Sequence, residues 1–160
     1  MRALLVTLSL LVGCGASPMY DAPKPRRYVH ADFKPYLEEF QNIMRSAGKH
    51  DGDIRSLNHF IWVDQFKDPS TPVVGQCQSL EYSGTFYKKR MWNIEILKRE
   101  YSPNQLRELL FQELGHCIYK LDHRDDKLAI MNPYLSSEKQ LVPAWDEMLQ
   151  DFIDSVGDEE

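Results

Sequence analysis

The chain is poor in cysteine, with three in 160 residues, too few and too scattered for a disulfide scaffold or a Cys-rich zinc module. It also lacks a basic excess. Asp and Glu number 24 against 19 Lys and Arg, a formal net charge of −5, which leaves no broad surface for phosphates and argues against a nucleic-acid partner. No internal repeat is present, and no low-complexity segment beyond one Pro-rich stretch. The longest apolar run, residues 3–12, is interrupted only by Thr7 and Ser9 and is too short to span about 30 Å of hydrocarbon. A polytopic membrane protein is therefore excluded. What the chain does have is 42% apolar and 27% charged residues, the balance of one globular domain able to bury a core.

The apolar run follows Met1-Arg2 and ends in Leu11-Val12-Gly13-Cys14. A single charge before a short apolar core is the pattern of a secretory signal. The apolar-apolar-small-Cys ending resembles the bacterial lipobox, which implies cleavage after residue 13 and lipid on Cys14. An ordinary signal peptide is the alternative. Residues 14–30, with Pro18, Pro23 and Pro25, read as a semi-extended tether. Gly15, rather than Asp, after the lipidated cysteine leans towards the outer membrane in a cell that has one. The expected location is thus the cell envelope, extracytoplasmic, with the membrane reached through the lipid anchor.

The domain should occupy 31–156, followed by an acidic tail at 157–160. Apolar residues Phe33, Leu37, Phe40, Ile43 and Met44 predict a helix over 31–47. Residues 56–66 read as a strand, 68–72 as a break, and 73–80, 85–89 and 91–97 as three more strands, with Ser83-Gly84 as a turn. Ser102-Pro103-Asn104-Gln105 announces a helix through a serine cap, a proline at the first position and a capping box. It should run to about 121. A loop follows, and residues 142–156 read as an amphipathic closing helix. The fold class is α+β.

On a wheel for the helix after Ser102, the residues Leu106, Leu110, Phe111, Leu114, Cys117, Ile118 and Leu121 share an arc of about 140°. Gln112, Glu113 and His116 share another. Gln112 and His116 stand one turn apart, so their side chains can converge. Gly115 in mid-helix costs roughly 1 kcal/mol against alanine, which suggests that something packs close to it.

Gln112-Glu113-Leu114-Gly115-His116 resembles the HELGH form of the zincin motif, with glutamine in place of the first histidine. In that family two imidazoles one turn apart hold zinc and the glutamate polarises the attacking water. The metzincin extension brings a third ligand from beyond the helix, where this chain has Asp122 and His123. Ala129-Ile130-Met131-Asn132-Pro133-Tyr134 resembles the metzincin Met-turn, with Met131 beneath the metal. The resemblance spans about 92–134. It implies a zincin-like fold, a mixed sheet with an active-site-type helix, zinc as cofactor, Glu113 as general base, and a peptide or protein as substrate or partner. The stretch 73–77 could be the edge strand that holds extended substrate by strand addition.

The departure at Gln112 matters, because zinc prefers nitrogen or thiolate to an amide oxygen. Gln112 could ligate through its oxygen with His116 and Asp122 or His123. Alternatively Glu113 and His116 could both ligate, which removes the base. On an unbroken helix His116 and His123 would lie about 10 Å apart, so the chain must leave the helix for His123 to contribute. Lipidation of Cys14 leaves Cys77 and Cys117 in a compartment that oxidises thiols. Zincin topology would bring the strand carrying Cys77 near Cys117 on the helix core face, which implies a disulfide; two separate buried thiols are the alternative. His30, His50 and His59 read as structural or surface residues. Three readings of function follow: a zinc metallopeptidase-like lipoprotein weakened or inactivated by Gln112, a non-enzymatic pseudopeptidase that binds a peptide or envelope partner, and a purely structural envelope lipoprotein.

The lipobox reading is tested by intact-mass analysis of the membrane fraction, which is expected to show loss of residues 1–13 and added acyl mass on Cys14. Stable anchoring needs more than one acyl chain. A soluble product cut elsewhere, with an unmodified Cys14, would refute it.

Overall fold

The structure, a computed structural model, describes residues 27–49, 52–67, 73–84, 87–125 and 128–157. Residues 1–13, Cys14, most of the tether, His50 and the last three residues of the acidic tail lie outside these. Among the described residues, no helix is long and apolar enough to cross a membrane.

Four strands, β1 (Tyr28–Val29), β2 (Leu57–Val63), β3 (Gly75–Gly84) and β4 (Tyr87–Leu97), form a mixed sheet in the order β1-β2-β4-β3. β1 and β2 are parallel, as are β2 and β4, while β3 runs antiparallel to β4 along the edge. Three helices complete the fold: α1 (Lys34–Ser46), α2 (Pro103–Leu114) and α3 (Glu138–Ser155). A 3-10 turn, Ala31–Phe33, leads into α1 and another, Gly52–Ser56, into β2. The α+β class read from the sequence is what the structure has.

One core joins the layers. Leu57, Phe60, Ile94 and Ile96 of the sheet meet Phe33, Leu37, Phe40 and Met44 from the α1 region, Leu110, Phe111 and Leu114 of α2, and Met148 and Phe152 of α3. The ring of Phe40 lies edge-on to Phe111 and to Phe152, with centroids 5.1 and 6.0 Å apart, so one aromatic cluster joins all three helices.

Several boundaries differ from the sequence reading. Tyr28 and Val29 belong to the sheet and not to the tether: they pair with His59 and Phe60, and the His30 amide just beyond donates to the Phe60 carbonyl at 2.8 Å. Residues 87–89 and 91–97 form one strand, because Arg90 stays in the ladder opposite Glu81 and pairs with its carboxylate at 3.0 Å, while residues 85–86 lie outside the described residues. Gly84 is the last residue of β3 rather than a turn residue. α3 starts at Glu138 instead of 142, because Ser137 and Gln140 build a capping box ahead of Pro143. The proline thus lies inside the helix, although it can donate no backbone hydrogen bond there. α2 starts where its signals place it, with the Gln105 amide donating to Ser102 Oγ at 3.1 Å.

α2 does not continue to 121 as a regular helix. After Leu114 it widens into one π turn, Gly115–Tyr119, and Lys120 ends it in the left-handed region at φ 59°. The amides of Lys120 and Leu121 both donate to the Gly115 carbonyl. A side chain at positive φ is uncommon outside glycine, asparagine and aspartate, and it reverses the chain immediately after the turn.

The segment between that reversal and α3 is fastened to α2 by a buried pair absent from the sequence reading. Glu108 is 1% exposed, and its carboxyl accepts from the Ser136 amide at 2.9 Å and from Ser136 Oγ at 2.6 Å. Burial pushes the Glu108 carboxyl above its ordinary range, and the Ser136 hydrogen bonds act the other way. Ser136→Ala strands a buried acceptor, so urea unfolding is expected to show a loss of about 1–3 kcal/mol. A change within error would assign the loop's position to its apolar contacts instead.

Candidate functional site

α2 is buried along its whole second half, with consecutive residues 108–114 all buried. Polar side chains on such a helix must find partners or aim into a cavity. A cleft of about 720 Å³ opens between α2, the β3 edge and the 133–135 loop, and Gln112, Glu113, His116 and His123 all line it.

The π turn and the left-handed Lys120 bring the two histidines together. His116 Nδ1 lies 2.6 Å from the Leu121 carbonyl oxygen. A carbonyl only accepts, so Nδ1 carries the proton and Nε2 keeps its lone pair. That Nε2 stands 3.0 Å from His123 Nε2, with the rings nearly perpendicular. Burial is the main influence on His116 and holds its pKa below the ordinary histidine value, which favours the neutral ring. Asp122 is exposed and points no polar atom into a hydrogen bond with this pair among the described contacts.

Gln112 takes a different role from a ligating imidazole. It is 5% exposed and donates from Nε2 to the Asn132 carbonyl at 2.8 Å, which ties α2 to the turn containing Met131. Because the partner is an acceptor only, the amide orientation follows from the hydrogen bond. Beneath the site, a Cβ on residue 115 would stand 2.8 Å from Met131 Sδ and 2.8 Å from Phe152 Cε2. Gly115 is there because the turn and α3 approach that closely.

Glu113 is 4% exposed, and its Oε2 has no hydrogen-bond partner among the described residues. Gly75 of β3 covers it: a Cβ at that position would come within 2.5 Å of Glu113 Oε1. Burial raises its pKa from the ordinary 4.5 to about 8. One turn further along α2, Cys117 is joined to Cys77 of β3 by a disulfide with Cα atoms 5.6 Å apart.

β3 presents main-chain groups at the sheet edge. The Leu97 amide donates to the Val74 carbonyl at 2.9 Å, which marks Val74 and Leu97 as a hydrogen-bonded pair. Bonded and non-bonded pairs alternate along an antiparallel ladder. The amides and carbonyls of Gly75, Cys77 and Ser79 therefore face away from β4.

The donor set does not fit a catalytic zinc. Ions with ligand bonds of about 2.0–2.1 Å place tetrahedral nitrogens about 3.3 Å apart, close to the separation of the two Nε2 atoms. Two imidazoles are nevertheless one fewer than the three protein ligands a catalytic zinc keeps. Gln112 is turned to Asn132, and among the described residues no group of three or more His, Cys, Asp or Glu could hold an ion.

The sequence-derived residues Gln112, Glu113, His116, His123, Cys77, Cys117 and Met131 thus gather around the second half of α2, with Asp122 exposed nearby and its charge acting on His116. His30 caps the first turn by accepting from the Asp32 amide at 3.3 Å. Glu108 was missed, while Asn132 and Gly75 were named only as members of the Met-turn and edge-strand stretches. Glu108 had a signal, since it precedes Gln112 and His116 on one i, i+4, i+8 stripe. The particular contacts of Gly75 and Asn132 had no local signal, because they are made with residues distant in sequence. Compared with known proteins, the chain matches no family model, no curated protein and no solved structure.

The covered carboxyl has a consequence for stability. An unfolded Glu113 ionises near its ordinary value, whereas the folded one keeps its proton up to about pH 8. The native state binds more protons in between, so this contribution is full below about pH 4.5 and declines as pH rises towards 8. In metal-free protein, Glu113→Gln should flatten the fall in urea-unfolding free energy between pH 5 and 8, by on the order of a few kcal/mol. Equal slopes for the two proteins would show that the carboxyl is solvated.

Proposed function

We propose that this chain is a lipid-anchored envelope protein whose domain follows the zincin plan, with a cleft for extended peptide and a metallopeptidase-type centre crippled at Gln112. The observation that carries the reading is the meeting of His116 and His123 nitrogens at 3.0 Å below an antiparallel edge strand, on a helix whose Gly115 rests on Met131. The helix ends one residue after its π turn, and this reversal brings His123, next to Asp122 in the segment beyond the helix, against His116. The outward amides and carbonyls of Gly75, Cys77 and Ser79 suit an added peptide strand.

The chemistry follows from which groups remain available. Zinc would polarise a peptide carbonyl and water in an intact centre; here its residues would be His116 and His123, with no imidazole at 112. Glu113 lines the cleft but is only 4% exposed, beneath Gly75. These two features favour the non-enzymatic form of the reading, a pseudopeptidase that holds a peptide or envelope partner without cutting it.

Zinc titration calorimetry of wild type and Gln112→His tests the proposal. Wild type is expected to bind zinc weakly. Gln112→His supplies a third imidazole and should tighten binding by roughly tenfold or more, while Glu113→Gln added to it should leave zinc affinity unchanged. A folded Gln112→His protein that binds zinc no better than wild type would overturn the zincin reading of this helix.

A further inference from the structure

We propose that the Cys77–Cys117 disulfide is a latch that holds β3 down over Glu113, and that its reduction by a dithiol uncovers the carboxyl. Gly75 and Cys77 are two apart on a strand and face the same side. Glu113 and Cys117 are four apart on the helical run and stack one turn above the other. The strand and the helix are therefore joined by two adjacent rungs. One is covalent, between Cys77 and Cys117. The other is the contact of Gly75 on the Glu113 carboxyl.

The Gly75 rung does not hold itself. Glycine brings no side chain to the contact, and Glu113 Oε2 is left without a hydrogen-bond partner among the described residues. Covering a carboxyl in that way is unfavourable by itself. β3 is also an edge strand, with β4 its one neighbour in the sheet. The covalent rung beside it offsets the unfavourable contact. Without that bond, the first half of β3 gains by lifting and admitting water to Glu113.

The two sulfurs are unequally accessible. Cys117 is fully buried, whereas Cys77 is partly exposed and lines the cleft. A thiolate of the dithiol attacks Cys77 Sγ, and the sulfur–sulfur electron pair leaves with Cys117, which takes up a proton. The second thiol of the reductant then displaces Cys77 and closes the reductant's own disulfide. Two electrons and two protons pass to the protein, which ends with two thiols.

Carbodiimide labelling with an amine nucleophile, read peptide by peptide by mass spectrometry on the full chain, tests the latch. Glu108 is the internal control, since it is equally buried but is held by Ser136, away from the strand. Reduction should raise Glu113 labelling by about fivefold or more while Glu108 stays protected, as expected of a local opening. Reoxidation should restore the slow rate, and Cys77→Ser/Cys117→Ser should label fast without reductant. Unchanged Glu113 labelling would overturn the proposal. So would a parallel rise at Glu108, in the reduced protein or the double variant, because the bond would then be holding the whole fold. The latch takes its meaning from the peptide-cleft reading, yet the labelling needs neither metal nor peptide. A latch that fails while Gln112→His still gains zinc leaves that reading standing.

Discussion

Helix α2 is buried over residues 108–114, and three of those seven side chains are polar. Everything at the cleft depends on how this burial is met. Each buried polar group needs a partner, and the partners come from the loop between α2 and α3 or from β3. Glu108 takes Ser136, and Gln112 takes the Asn132 carbonyl. One turn on, His116 takes the Leu121 carbonyl. Residues 108, 112 and 116 form a single stripe, so the loop is tied to the helix at three successive levels. The loop has little regular structure of its own, and these ties give it a position.

Glu113 is the exception on that stripe's flank. Its neighbours on the helix found loop partners, and it met a glycine instead. The burial that makes Gln112 a tie makes Glu113 a poor base, because a carboxyl that holds its proton to about pH 8 cannot readily take one from water at lower pH. The same strand that would present main-chain groups to a peptide is the one that shields the carboxyl. Peptide binding and proton transfer would therefore make opposite demands on β3.

Much of the fold was legible from local chemistry. The cap at Ser102 with Pro103 and Gln105, the apolar stripe of α1 and the β-branched and aromatic run of β2 are each determined by residues within a turn or a strand of one another. Errors came where a local signal was outweighed. The apolar pattern placed the closing helix at 142–156, but the Ser137 and Gln140 box starts α3 earlier. Residues 28–30 look like the end of a proline tether, but β2 offers them a parallel edge. At the site, the spacing of Gln112 and His116 marked the helix face, and the need for His123 to leave the helix was plain from the distance an unbroken helix would impose. That the exit uses a π turn and a left-handed lysine was not visible. A positive φ at a lysine comes from tertiary contacts, and no residue preference announces it.

The crosslink between Cys77 and Cys117 also acts on the chain before it has folded. The two residues are 40 apart in sequence, and the segment between them contains all of β4 and α2. A closed loop of that length removes about 4 kcal/mol of conformational freedom from the denatured ensemble in the chain-entropy account. An oxidised chain that unfolds thus keeps the edge strand and the histidine-bearing turn tethered within reach of each other. Refolding from that state begins with one long-range contact of the cleft already made.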